Sequence, residues 1–254
     1  MIDLRGVFPA LATPFVRGWV ATDRLQANLE RYEQVGLAGY LALGSTGEVP
    51  YLDDAERGLV IQTLRRSLPA GRIVIAGVNA EATVAAVHQA EEAARLGADA
   101  VLVSTPHYFA AAMTAPALVA HFRAVADASG VPVLLYNVPK FTGLELPAAA
   151  VEELATHPNV AGMKDSSGRS AYLLDVLARM PATFQVLCGD AALLPEALRA
   201  GAVGGILAAA TAVPEPFVEV AERGGAGEDA ARVHGLALDG LRAGIAKHGV
   251  AGFK

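Results

Sequence analysis

The stretch Gly97-Ala98-Asp99-Ala100-Val101-Leu102-Val103-Ser104 carries the pattern that decides the fold. Glycine adopts the left-handed conformation that ends a helix without a Cβ clash, and here it precedes a short apolar run. Gly36, Gly130 and Gly201 stand in the same place before other apolar runs. A run that is apolar throughout is typical of a parallel strand covered on both faces. The pattern therefore predicts helices that alternate with buried strands.

Eight apolar runs of this kind predict eight strands, with amphipathic stretches between them. Eight such units without a long linker favour a (β/α)₈ TIM barrel over an open doubly wound sheet. The open sheet calls for a Gly-x-Gly-x-x-Gly turn after its first strand, and residues 13–18 contain none. The predicted strands are Val7–Ala12, Gly39–Leu43, Ile73–Val78, Ala100–Ser104, Val133–Tyr136, Val160–Met163, Gln185–Cys188 and Gly204–Ala208.

The helical stretches show the expected periodicity and end signals. Leu25, Leu29 and Tyr32 share one face of the first predicted helix. Asp53 and Glu56 have the spacing of a capping box that opens the second. A last helical stretch, from about residue 228, follows the eighth unit after the flexible segment 224–227. We expect residues 1–254 to form a single barrel domain followed by this C-terminal helix.

Composition excludes several classes of protein. The chain has 254 residues, 53% of them hydrophobic and 18% charged, so it can bury a substantial core. A net charge of −6 argues against a nucleic-acid partner, because phosphate contacts need clustered lysine and arginine. The single cysteine, Cys188, rules out an internal disulfide and fits a reducing compartment. No apolar stretch approaches the roughly 18 residues of a membrane span, so we expect a cytoplasmic protein without membrane contact.

Lys164 is the first candidate for chemistry. Active sites of such barrels gather at the carboxyl ends of the strands, and Lys164 ends the run Val160–Met163. An apolar barrel mouth disfavours the ammonium form of a lysine and frees its amine to attack a ketone. The alternative is an ordinary lysine whose stem packs while its head reaches water. Only four lysines occur in the chain, at positions 140, 164, 247 and 254.

Two further strand ends carry groups that suit the same chemistry. Tyr136 ends the adjacent strand, where its phenol could relay protons during imine formation, or pack as a strand-end aromatic under a loop. The turn Gly44–Glu48 offers backbone N–H groups and the Ser45 and Thr46 hydroxyls, which suit a small carboxylate. It lacks the Gly-Lys-Ser/Thr ending of a phosphate-binding Walker loop.

The remaining polar groups give weaker signals. The six histidines have no close metal-ligand spacing, which disfavours a zinc-dependent class II aldolase, and we expect no metal site. Asp165 suits either an acid–base role or, with more reason, a structural hydrogen bond to a neighbouring loop.

Taken in order, these motifs resemble the dihydrodipicolinate synthase / N-acetylneuraminate lyase family. The resemblance covers nearly the whole chain, from Gly6–Pro9 to Ala202–Gly205. Its most specific parts lie at successive strand ends: Gly44-Ser45-Thr46-Gly47-Glu48, Tyr136-Asn137-Val138-Pro139 with Thr142-Gly143, and Gly162-Met163-Lys164-Asp165.

The resemblance implies a homotetrameric or dimeric (β/α)₈ lyase that forms an imine between pyruvate, or a similar 2-oxo acid, and Lys164. It further implies Tyr136 as the proton relay and Thr46 as the hydroxyl that links to this relay, with Ser45 and Thr46 on the pyruvate carboxylate. Tyr108 matches a tyrosine that a neighbouring subunit contributes, and Gly189 a backbone contact in the pocket. No metal or organic cofactor is required.

Substrate choice is where the sequence departs from the synthases. They usually carry an arginine for the carboxylate of aspartate semialdehyde two places after Tyr-Asn-Val-Pro, and here those places hold Lys140 and Phe141. Residues 142–147 and 157–166 look closer to 4-hydroxy-2-oxoglutarate aldolases, in which Ser166 becomes a pocket residue. We therefore expect cleavage of a 4-hydroxy-2-oxo acid to pyruvate and an aldehyde.

Other functions stay open at this point. They are a dihydrodipicolinate synthase, a sugar-acid aldolase of the same family, a non-catalytic barrel that binds a 2-oxo acid, and a phosphosugar barrel. A second departure from the family lies at the C-terminus. Relatives usually continue past the equivalent of residues 252–254 with further helices, so the sequence is expected to be shorter than usual for the family, as a truncated chain, an incomplete sequence or a genuinely shorter member, and the oligomeric state is open.

Overall fold

The protein is an eight-stranded parallel barrel with helices between the strands. The computed structural model describes residues 2–227, together with residues 235, 238 and 239. All eight predicted strands are present, with ends that differ by a few residues. They are Gly6–Pro9, Gly39–Ala42, Ile73–Val78, Ala100–Ser104, Val133–Asn137, Val160–Asp165, Gln185–Cys188 and Gly204–Leu207.

The strands follow one another around the barrel in chain order. From the second to the eighth, each strand pairs in parallel with the next, and the first strand pairs in parallel with the eighth. The first and second strands meet through an isolated bridge between Ala10 and Leu41. The N–H of Leu11 donates to the Leu41 carbonyl at 2.9 Å, and that of Ala38 to the Val7 carbonyl at 3.0 Å. These contacts bring the two edges together, and the predicted (β/α)₈ fold is confirmed.

Helices connect the strands as the sequence predicts. The capping box at Asp53 is present: Glu56 N–H donates to the Asp53 carboxylate at 2.8 Å, and Asp53 N–H donates to the Glu56 carboxylate at 3.1 Å. The helices that follow the successive strands are Thr22–Tyr32, Asp54–Ser67, Thr83–Arg95, Ala115–Ala128, Ala148–Leu154, Ser170–Arg179, Leu194–Arg199 and Glu215–Glu222.

Two buried clusters form the core. An outer cluster lies between the strands and the helices, and includes Val133, Val160 and Met163. An inner cluster fills the barrel, as expected where inward side chains pack in layers. The inner cluster consists of Leu4, Phe8, Ala10, Leu41, Ile75, Ala100, Leu102, Leu134, Tyr136, Val138, Ala161, Leu187 and Ile206.

Two local elements escaped the sequence analysis. Residues Phe15–Val16 and Trp19–Val20 form a small antiparallel hairpin after the first strand. Its two turn residues, Arg17 and Gly18, both have positive φ angles (53° and 86°). Arginine is an uncommon residue at such a position, so the usual Asn-Gly or Asp-Gly signal was missing. A one-turn helix, Pro139–Thr142, follows the fifth strand.

The C-terminal helix predicted from about residue 228 lies outside the described residues, apart from positions 235, 238 and 239. In the part of the chain that the structure describes, no helix is long and apolar enough to cross a lipid bilayer.

Candidate active site

Lys164 and Tyr136 meet at the carboxyl ends of neighbouring strands. They are register partners of the sixth and fifth strands. Both side chains are buried, with 4% of Lys164 and 6% of Tyr136 exposed. The Lys164 Nζ donates to the Tyr136 Oη at 3.4 Å and lies 4.6 Å from the centroid of the ring. A primary amine and a phenol therefore share one secluded site, as the sequence predicted for this pair of strand ends.

Two serine hydroxyls join the phenol of Tyr136. Ser45, from the turn after the second strand, and Ser166, directly after the sixth, both hydrogen-bond to the phenol. Burial by itself would raise the pKa of Tyr136. The positive charge of Lys164 and the hydrogen bonds to the phenol outweigh burial, so the pKa of Tyr136 lies below its ordinary value. The phenol is thus adapted to give up and regain a proton.

The turn that carries Ser45 depends on an unusual backbone conformation. Leu43 has a φ of 58°, which is rare for a residue with a Cβ, and it turns the chain out of the second strand. Residues Ser45–Gly47 then form one turn of 3₁₀ helix, in which Thr46 is buried. The hydroxyl of Thr13 donates to the Gly47 carbonyl at 2.7 Å and anchors this turn.

Gly77 on the third strand leaves the room that this turn needs. A Cβ atom on Gly77 would lie 2.0 Å from the Leu43 carbonyl oxygen and 2.6 Å from its carbon. Contacts this short do not occur, so a side chain at position 77 would push the turn out of place.

Gly189, predicted as a backbone contact, lies directly beside the amine. A Cβ at this position would be 3.0 Å from the Lys164 Cε and 2.0 Å from the Ser166 Oγ. Its N–H donates to the Asp165 carbonyl at 2.7 Å, so this N–H already has a protein partner. Gly189 therefore leaves space next to the Lys164 side chain.

Asp165 has the structural role that the sequence favoured. Its carboxylate accepts hydrogen bonds from Asn137 Nδ2 at 2.8 Å, and from the N–H and hydroxyl of Ser167 at 3.1 and 2.8 Å. Burial raises the pKa of this carboxyl above its ordinary value, although these hydrogen bonds oppose the shift. Sequence reasoning missed Asn137, although a polar residue in an apolar strand was a signal.

Tyr108 lies apart from the buried residues around Lys164. Its side chain is 77% exposed and packs edge-to-face on Phe109, with ring centroids 5.0 Å apart. The carboxylate of Glu81 accepts the N–H groups of His107 and Tyr108 at 2.8 and 2.9 Å, which fixes this loop. Within one chain the structure does not bring Tyr108 into the buried site.

Lys140 and Phe141 occupy the one-turn helix after the fifth strand, and both are exposed. The Lys140 Nζ lies 5.8 Å from the centroid of the Phe141 ring. The two positions where the sequence departs from the synthases thus hold an exposed aromatic ring with an ammonium group beside it.

Cys188, at the end of the seventh strand, is a buried thiol that donates to the Asp190 carbonyl at 3.1 Å. Burial raises its pKa to about 12, so the thiol stays protonated. Among the described residues, no group of three or more histidine, cysteine, aspartate or glutamate side chains could hold a metal ion.

A buried amine that a phenol contacts at the mouth of a barrel has the parts that a class I aldolase needs: a nucleophile and a proton relay. Comparison with known proteins agrees with this class. Residues 3–248 match the model of the dihydrodipicolinate synthetase family. The chain belongs to this family, and is a class I, pyruvate-dependent enzyme of the lyase and synthase type.

Similar proteins carry two different activities in their names. A 4-hydroxy-tetrahydrodipicolinate synthase of Stenotrophomonas maltophilia is 38% identical over 223 residues, which cover 87% of this chain and 74% of the relative. A protein of Emericella nidulans named "probable 4-hydroxy-2-oxoglutarate aldolase, mitochondrial" is 35% identical and covers 91% and 79% of the two chains.

Solved structures of the family share the fold. A dihydrodipicolinate synthase from Aquifex aeolicus superposes with a TM-score of 0.88 at 30% identity, over 97% of this chain and 84% of the other. The prophage protein YagE of Escherichia coli K12, solved in complex with pyruvate, has a TM-score of 0.89 at 27% identity, over 96% and 83%.

Proposed function

We propose that this enzyme cleaves a 4-hydroxy-2-oxo acid, such as 4-hydroxy-2-oxoglutarate, to pyruvate and an aldehyde through an imine on Lys164. The observation that carries the proposal is the buried Lys164 Nζ at 3.4 Å from the Tyr136 phenol. An amine that forms an imine needs a neighbouring group that donates and accepts protons. The Tyr136 phenol is suited to this because its pKa is lowered.

The reaction runs through steps that these groups can support. The amine of Lys164 attacks the C2 carbonyl, and the carbinolamine loses water as Tyr136 passes a proton to the departing oxygen. The positively charged imine then accepts the electron pair of the C3–C4 bond, while the C4 hydroxyl loses its proton and becomes the aldehyde. Protonation of the enamine at C3 and hydrolysis of the imine release pyruvate and restore the amine.

Around this amine, we propose that the Ser45–Gly47 turn holds the C1 carboxylate. The turn follows a strand end and presents hydroxyls and backbone N–H groups, which suit a small anion. Ser45 and Ser166 also hydrogen-bond to Tyr136, so substrate position and proton transfer share the same hydroxyls. Thr46, buried in the same turn, completes the proposed carboxylate contact, while the hydroxyls on the Tyr136 phenol are those of Ser45 and Ser166.

Phe141 supports the aldolase over the synthase. An aromatic ring cannot replace the two parallel hydrogen bonds that a guanidinium makes to a carboxylate. The synthase remains a second candidate on one observation: the Lys140 ammonium lies close enough to the Phe141 ring to offer a point charge there.

We also propose that the enzyme acts as a homotetramer or dimer in which Tyr108 reaches the site of a neighbouring subunit. Its exposed ring, held on a fixed loop by Glu81, supports a contact outside its own chain.

Trapping with borohydride tests the imine. The protein is incubated with pyruvate, reduced, digested, and the mass adduct is assigned to a peptide. We expect the adduct on Lys164, its loss in Lys164→Ala and its retention in Lys140→Ala. An adduct on Lys140 or Lys247, or none, would remove Lys164 from the mechanism.

Substrate ranking tests the reaction. We expect kcat/KM for pyruvate release from 4-hydroxy-2-oxoglutarate to exceed kcat/KM for condensation of pyruvate with aspartate semialdehyde. The opposite ranking would make the enzyme a synthase and leave the imine on Lys164 intact.

A further inference from the structure

The sixth strand changes its pairing register before it reaches Lys164, and this change turns the Lys164 side chain into the barrel. Val133 of the fifth strand pairs with Val160, but the next pair is Leu134 with Gly162, so Ala161 is an extra residue. Such a β-bulge shifts every later residue of the strand to the opposite face. Without it, Tyr136 would face Met163, and Lys164 would point away from the inner cluster.

Burial on the two faces agrees with this shift. Val160 and Met163 both pack in the outer cluster, although they are three residues apart. In a regular strand only residues an even number apart share a face. Ala161, between them, packs in the inner cluster. The bulge therefore decides which face carries the amine.

A buried side-chain pair holds the shifted register at its far end. Asn137 and Asp165 are the last register partners of the two strands, next to Tyr136 and Lys164. They are 0% and 2% exposed, and Asn137 Nδ2 donates to Asp165 Oδ1 at 2.8 Å. A slip of one residue would separate these two side chains.

The two residues also accept hydrogen bonds from the segments that follow the fifth, sixth and seventh strands. Asn137 Oδ1 accepts the Leu146 N–H at 3.0 Å, and the Asn137 carbonyl accepts the Ser166 N–H at 2.8 Å. The Asp165 carbonyl accepts the Gly189 N–H. The pair thus connects the residues that surround the amine: Ser166 and Gly189.

From this we infer that Asn137 and Asp165 are positioning residues for the reaction. Their side-chain hydrogen bond stabilises the bulged register and thereby keeps the Lys164 amine beside the Tyr136 phenol. The inference rests on the proposed function in one respect, that Lys164 forms the imine. It assigns neither residue a contact with substrate.

Exchange of the two side chains provides the test. At a pH at which both carboxyls are ionised, Asn137→Asp places two carboxylates against each other and removes the donor of the bond. We expect the rate of borohydride-trappable imine formation and kcat to fall on the order of 100-fold, with a smaller change in KM. The double variant Asn137→Asp/Asp165→Asn restores a donor and an acceptor in reversed order. It should trap pyruvate within about tenfold of the wild-type rate.

Tyr172→Phe is the matched control. The Tyr172 hydroxyl donates to the Leu146 carbonyl at 2.6 Å, next to the pair but not part of it. This variant should lose thermal stability and keep the wild-type trapping rate. A trapping rate that falls with Tm in all three variants would mean that the pair serves folding alone and would overturn the inference.

The remaining outcomes are also decisive. A wild-type trapping rate in Asn137→Asp, or a double variant that traps pyruvate no faster than Asn137→Asp does, would overturn the positioning role. Failure of both variants to fold would also overturn it, because the pair would then be required for folding itself. If the wild-type protein forms no adduct on Lys164, the proposed function fails instead, independently of the variants.

Discussion

A Cβ atom on Gly189 would lie 2.0 Å from the Oγ of Ser166. The same atom would lie 3.0 Å from the Cε of Lys164, so the smallest possible side chain would displace both residues. Gly189→Ala should therefore reduce imine formation by more than about 100-fold, while the barrel still folds. Borohydride trapping with pyruvate measures the first effect, and circular dichroism the second.

Gly58→Ala is the control for this variant. A Cβ on Gly58 would meet only the Leu96 side chain at 3.4 Å, an ordinary contact, and Gly58 lies inside a helix. Alanine is a better helix former than glycine, so trapping and Tm should be unchanged or slightly improved. Equal trapping by Gly189→Ala and Gly58→Ala would contradict the steric assignment of Gly189.

The pKa of Tyr136 should respond to the groups that lower it. The Lys164 charge and the Ser166 hydroxyl both favour the phenolate. Ser166→Ala and, more strongly, Lys164→Met should raise this pKa, so less phenolate is present at a given alkaline pH. The measurement is the ultraviolet phenolate absorbance during a pH titration, with Tyr136→Phe as the background for the other tyrosines. An unchanged midpoint in Lys164→Met would exclude charge coupling between the two groups.

Tyr108 can be tested by mixing two inactive variants. Lys164→Ala lacks the amine and Tyr108→Phe lacks the exposed phenol. If Tyr108 serves the site of a neighbouring subunit, a mixed assembly contains some sites with both groups. Activity measured after unfolding and refolding the two variants together should then exceed the sum of the separate activities. Simple additivity would place Tyr108 outside the relay.

His121 should make the protein less stable in mild acid. Its ring is buried, and Nδ1 lies 3.0 Å from the Thr83 hydroxyl. Burial lowers its pKa in the folded state, so the unfolded chain binds a proton first as the pH falls. The stability that the neutral His121 ring contributes is fully present above the pKa of the unfolded state. It is lost as the pH falls from that value towards the lower pKa of the folded state.

Urea unfolding at about pH 7 and about pH 5 measures this loss. The decrease in unfolding free energy should be smaller in His121→Asn than in the wild type. His88→Asn, at an exposed position of a neighbouring helix, should behave as the wild type does. If the unfolding free energy of His121→Asn decreased as much as that of the wild type, His121 would be excluded as the source of the pH dependence.

The barrel could be predicted from the sequence because each strand is apolar on both faces. The strand ends that carry Ser45, Tyr136 and Lys164, which the structure brings together, could be predicted as well. The bulge at Ala161 could not be predicted. An apolar run without alternation carries no information about register, and only Gly162 within the run was a sign.

Other parts of the site depend on contacts between distant segments. The pairing of Asn137 with Asp165 follows from the shifted register, which is a tertiary property. The role of Gly189 is also a tertiary property, because the absence of a side chain at this position leaves room for Ser166. The hairpin turn at Arg17 was missed for a local reason, since its residues are not those that such turns prefer.

The close approach of Leu43 to Gly77 has a consequence for protein engineering. The two positions form one unit, because the left-handed backbone of the first occupies the space that a side chain on the second would need. A library that varies residues 44–48 to change acid specificity will yield functional clones only when glycine is kept at 77. Transplanting this loop into another barrel requires moving a glycine on a different strand along with it.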